Sequence, residues 1–112
     1  MKHILLCLGS LAALLGADVC QAGDKERGRE KSVVCQSCHG EDGTGIGVPQ
    51  YPVLAGQYAD YLAHALRAYK TGERQNPVMQ AFVDTLSDED IDDLAAWFAS
   101  QKGPLDDLSH FK

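Results

Sequence analysis

Apolar and polar positions along this chain follow two rhythms: one mainly apolar stretch at the start, then apolar residues returning at helical intervals. Lys2 precedes the stretch from Ile4 to Leu15, and a more polar segment follows it to Cys20-Gln21-Ala22. Beyond Gly23 the pattern changes. Asp24 can cap a helix running to about Val34. Gly28 lies inside that helix, where glycine costs about 1 kcal/mol against alanine. A glycine kept there points to close approach by another element. The segment Gly40-Glu41-Asp42-Gly43-Thr44-Gly45-Ile46-Gly47, with Pro49 and Pro52 after it, reads as a loop able to wrap backbone closely around something.

A second helix is predicted from Gln57 to Lys70. Tyr58, Tyr61, Leu62, Ala65, Leu66 and Tyr69 form its apolar stripe, read as core, and Gly72 stops it. His64 falls on the opposite, solvent-facing side. Asn76-Pro77-Val78-Met79 reads as a non-helical stretch. The last helix is the best specified: Ser87 and Asp90 form a capping-box pattern, and Leu86 and Ile91 can close a hydrophobic staple. Ile91, Leu94, Ala95 and Phe98 supply its buried stripe with Trp97 at the edge, and Gly103-Pro104 ends it. Asp88, Glu89, Asp90, Asp92 and Asp93 crowd its first turns, where the helix dipole favours negative charge; a docking role for the cluster is the alternative. No strand pattern and no repeat stand out. The expectation is an all-α chain of about three main helices and loops.

The opening segment has the anatomy of a secretory leader, cleaved between Ala22 and Gly23, which divides the chain into 1–22 and a single domain over 23–112. Its apolar run is shorter than the roughly 20 residues of a membrane span. A lipid on Cys20 is a further alternative, poorly matched by Asp18 just before it. The expected location is the periplasm, with no stable membrane insertion after cleavage. Two of the four cysteines leave with the leader, so Cys35 and Cys38 remain. The chain carries a net charge of −6, which argues against nucleic acid and anionic membrane surfaces and towards redox proteins with a basic docking surface. A domain this short buries a modest core and gains from a large prosthetic group.

Chemistry concentrates in Cys35-Gln36-Ser37-Cys38-His39. This C-x-x-C-H spacing is the signature of c-type haem attachment. Two thiols near a helix end can add to the vinyl groups of one porphyrin edge, and the next imidazole reaches the iron from one face. A structural zinc site needs about four ligands, and only His64 and His110 would remain besides His39. A thioredoxin-like pair needs a βαβ setting, which is missing. A plain disulfide leaves the adjacent histidine unexplained. One covalently bound haem c per chain is the expected cofactor, with His39 as an axial ligand. Met79, the one methionine after the leader, is the expected second axial ligand. Its thioether favours reduced iron and fills the position where oxygen or peroxide would bind. A role as core filler is the alternative for Met79, and His64 is the alternative ligand.

Taken together, these residues resemble the class I cytochromes c, of the small bacterial soluble monohaem kind, close to the c-553 type and to single halves of dihaem c-4 cytochromes. The resemblance covers nearly all of the chain after the leader. It rests on Cys35-x-x-Cys38-His39-Gly40, on Pro52-Val53-Leu54-Ala55-Gly56-Gln57, on the late methionine, and on Leu94-Ala95-Ala96-Trp97-Phe98. It implies the cytochrome c fold, thioethers from Cys35 and Cys38, His39 and Met79 as axial ligands, and a Pro52 carbonyl accepting a hydrogen bond from the His39 imidazole. It also implies that Gly28 marks the crossing of the first and last helices. The implied role is that of an electron carrier, not an enzyme, acting as a monomer or weak dimer. A dedicated haem subunit of a larger dehydrogenase or oxidase, or a ligand-binding haem sensor or peroxidase-like enzyme, is the alternative.

Overall fold

The computed structural model describes residues 23–105; the proposed leader lies outside them. Five α-helices follow one another, and no strand occurs among the described residues. They are α1 (Lys25–Lys31), α2 (Val33–His39), α3 (Ala59–Thr71), α4 (Pro77–Val83) and α5 (Asp88–Ser100). A short 3-10 turn, Glu41–Gly43, follows α2. None of the described helices is long and apolar enough to cross a membrane.

The first helix begins where its cap predicts. Asp24 Oδ1 accepts from the Glu26 and Arg27 N–H groups at 2.9 and 3.0 Å, and Arg29 and Lys31 occupy the last turn. It does not run unbroken to Val34. At Ser32 the hydroxyl turns back and donates to the Arg29 carbonyl at 2.7 Å, a contact that bends helices, and the chain restarts as α2.

The other departure is α4. The Asn76–Met79 stretch, expected to be non-helical, opens a seven-residue helix. Asn76 Oδ1 accepts from the Val78 and Met79 N–H groups at 3.0 and 3.2 Å, and Pro77 sits at the first helical position, where its missing N–H costs nothing. By contrast α5 starts as expected, with both halves of the Ser87–Asp90 capping box present.

One core cluster joins α3 to α5: Leu62 and Ala63 pack with Ile91, Leu94, Ala95 and Phe98, and Leu54, Leu66, Leu86 and Trp97 close around them. On its other side α5 crosses α1 at Gly28. A Cβ there would stand 2.0 Å from the Asp93 carbonyl oxygen, so only glycine permits this approach. Asp93 itself is fully buried. Its carboxylate accepts from the Asp24 N–H at 2.7 Å, from Arg27 Nε and Nη2 at 2.9 and 3.1 Å, and from Lys31 Nζ at 2.9 Å. These bonds compensate its desolvation. The acidic start of α5 is therefore largely a structural clasp: Arg27 also pairs with Glu89, Lys31 with Asp90, and Arg67 of α3 with Asp88 and Asp92.

Candidate functional site

Helix α2 carries Cys35, Cys38 and His39 at positions i, i+3 and i+4, so all three lie on one face. That face forms one wall of a cleft of about 740 Å³, within the size range of sites for bound small molecules. Cys35 is half-buried against the core cluster, and the two thiols are not joined in a disulfide. Burial pushes the Cys35 thiol up, and the nearby Cys38 adds to the shift. His39 ends the helix and is buried; Gly40, at φ 85°, turns the chain away immediately after it.

The loop between α2 and α3 returns across the imidazole. His39 Nδ1 lies 2.8 Å from the Pro52 carbonyl oxygen. With Nδ1–H donating to that oxygen, the ring is fixed in orientation and Nε2 keeps its lone pair for a metal. The loop is held in turn by the Leu54 and Ala55 N–H groups, which donate to the Gly43 carbonyl at 2.8 and 3.0 Å. Pro52, Val53 and Leu54 thus become part of the lining.

Met79 lines the same cleft from the first turn of α4. All five residues singled out from the sequence, Cys35, Cys38, His39, Pro52 and Met79, therefore meet around one space. His64 does not: it is exposed on α3 and outside the lining.

The expected core stripe of α3 divides. Leu62 is buried, whereas Tyr58 and Tyr61 are exposed, and Tyr61, Leu62, Ala65, Leu66 and Tyr69 line the cleft. Periodicity marks the side of a helix that avoids water, and a prosthetic group satisfies it as well as protein does. Arg74 is a lining residue that the sequence reading did not single out. Its guanidinium lies 4.9 Å from the centre of the Tyr69 ring.

A flat, mainly apolar haem fits this space on three grounds. The volume is large for so short a chain. Leu62, Leu66, Val83, Leu94 and Phe98 give the lining an apolar character. The donor set of two thiols, one imidazole and one thioether matches what a covalently bound iron porphyrin takes.

Comparison with known proteins gives the same answer independently. A family model described as cytochrome c matches residues 26–102. Cytochrome c-554(548) from Halomonas halodenitrificans is 44% identical over 84 residues, covering 72% of this chain and 100% of that protein. The crystal structure of reduced recombinant cytochrome c4 from Pseudomonas stutzeri superposes with a TM-score of 0.70 at 42% identity, over 75% of this chain and 48% of that one. A protein of Stutzerimonas stutzeri named thiosulfate dehydrogenase electron acceptor is 34% identical over 110 residues, 93% of this chain and 51% of its own length. The chain thus spans the whole of the first relative and about half of the other two.

Proposed function

Because the chain belongs to the cytochrome c family, we propose that it is a periplasmic carrier of single electrons, with its haem iron held between His39 and Met79. Membership brings one covalently bound c-type haem and the role of electron carrier rather than enzyme. When bound, that haem supplies an iron centre that takes up and releases one electron at a time.

The observation that carries the reading is the convergence of Cys35, Cys38, His39 and Met79 on one apolar cleft. Cys35 and Cys38 anchor the group through two sulfur links. His39, tied to the Pro52 carbonyl, presents Nε2 in one orientation, so little rearranges when the charge on the iron changes. Met79 offers a soft sulfur from the α4 wall, which favours the reduced state and keeps small ligands off the metal.

Partners are redox proteins with basic docking surfaces. Glu30, Glu41 and Asp42 make no ion pair among the described residues. With Glu26 and Arg29 they border a shallow depression next to Gln36, the residue after Cys35, and to the exposed Val33. Such a face steers a cationic partner towards the attachment edge, and association slows as salt is raised. A second reading, a haem subunit dedicated to one dehydrogenase, is favoured by the relative named as an electron acceptor of thiosulfate dehydrogenase. Reactivity with several unrelated basic partners would count against it.

Met79→Ala tests the ligand assignment. The reduction potential should fall and the reduced protein should bind carbon monoxide readily. A wild-type potential with no carbon monoxide binding would place the sixth ligand elsewhere.

A further inference from the structure

Helix α4 carries Met79, yet it is the least anchored wall of the cleft. Of its seven residues only Val83 is buried, and Val78 and Phe82 stay exposed. Its main helical neighbour is α3. No acidic residue stands in its first turn and no basic one in its last, so its dipole has no charged complement at either end. A helix this short gains little from its own ladder, because nucleation is costly. Its first turn needs outside support to stay wound.

Asn76 supplies that support. An α-helix begins with N–H groups that have no partner inside the helix. In α4 the first residue is Pro77, which has no N–H, and Val78, Met79 and Gln80 follow. Asn76 Oδ1 accepts from Val78 and Met79 at 3.0 and 3.2 Å, and the Asn76 carbonyl accepts from Gln80 at 2.9 Å. One residue therefore satisfies every N–H group of the first turn. Met79 is held directly, since the N–H on the cap and the thioether side chain belong to the same residue. Asn76 is half-buried and lines the cleft as Met79 does.

We propose that Asn76 is the positioning residue of Met79, and that its cap sets how often the thioether leaves the sixth position of the bound haem iron. The proposal rests on the assignment of Met79 as the axial ligand. With the cap removed, the first turn of α4 unwinds more readily and carries Met79 away with it. An outside ligand then finds the sixth position open more of the time, and its apparent affinity rises with the open fraction. The cap thereby keeps this chain on electron transfer and away from ligand binding.

The experiment is a titration of the oxidised holoprotein with imidazole, followed in the visible spectrum. Hydrogen exchange at the Val78 and Met79 amides is measured alongside. Asn76→Ala is expected to bind imidazole about fivefold more tightly than wild type, which matches the roughly 1 kcal/mol that an N-cap oxygen contributes. Both amides should exchange faster. Asn76→Ser restores a capping oxygen and should stay within about twofold of wild type, whereas Asn76→Gln carries its amide out of capping reach and should follow the alanine variant. Asp93→Asn, which weakens the fold on the other side of α5, should leave the imidazole affinity unchanged. Wild-type affinity in Asn76→Ala would overturn the proposal, as would an equal rise in Asn76→Ser or in Asp93→Asn. Should Asn76→Ala not accumulate, wild-type affinity in Asn76→Gln overturns it instead. Wild-type protein that binds imidazole as tightly as Met79→Ala would defeat the ligand assignment itself, which is a different failure.

Discussion

The two sides of α5 are built on opposite principles. Towards α1 the helix is closed by protein: backbone meets backbone at Gly28, and a buried carboxylate takes four hydrogen bonds from the other helix and its cap. Towards the cleft, Leu94, Ala95 and Phe98 present apolar surface to a space bounded by α2, α3 and α4. The first side needs nothing further. The second is a half-made core, which the haem completes under the proposed function. One helix thus does two separable jobs, and the chain's stability divides between a charged clasp and a cofactor-dependent cleft.

The sharpest way to break this division is to remove the anchors. Cys35→Ala with Cys38→Ala should leave no covalent haem by mass and give the largest loss of thermal stability of any variant here, because the cleft lining loses its apolar partner. Normal haem content in that double variant would end the account of the cleft. Next in size is Asp93→Asn, expected to cost about 3 kcal/mol in denaturant unfolding, at the low end for a broken buried pair because Arg27 and Lys31 can partly rehydrate. The haem spectrum should stay as in wild type; a spectrum that changes with it would mean the two sides of α5 are not separable.

Acid probes the same clasp more gently. The Arg27 guanidinium, with help from the Asp24 N–H and Lys31, holds the Asp93 carboxyl well below the usual carboxylate range, and Lys31 lowers Asp90 in the same direction. A depressed carboxyl stabilises the fold above its unfolded value, about 3.9, and the contribution fades as pH falls below that. Wild-type stability should therefore decline from about pH 5 downwards, and Asp93→Asn should flatten that decline. An equally steep decline in the variant would assign acid sensitivity to other groups. The smallest effect is expected from Arg67→Ala. Its pairs with Asp88 and Asp92 are partly exposed, so a double-mutant cycle should give about 0.2–1 kcal/mol.

How much of this was legible beforehand depends on the range of the signal. The attachment motif is local and chemically explicit, so Cys35, Cys38 and His39 could be named from five consecutive residues. The α5 cap was equally plain. The start of α4 is local as well, in Asn76-Pro77, but a proline after a loop is as compatible with more loop as with the first residue of a helix. Tyr61 and Tyr69 look like core in the sequence because a periodic stripe reports avoidance of water and is silent about what replaces it. Asp93 was hidden for another reason. Among five acidic residues in one helical turn and a half, a buried carboxylate looks the same as a solvated one, and its partners stand 62 to 69 residues earlier. Gly28 announces a close neighbour and the family resemblance names the last helix, but neither points to the buried carboxylate there.

That separation along the chain has a consequence for assembly. A polypeptide emerging N-terminus first presents Cys35 and Cys38 long before Asp93, so the clasp cannot shut until the final helix has appeared. Under the proposed attachment, haem can therefore be joined to Cys35 and Cys38 on an open chain before the last helix closes over it.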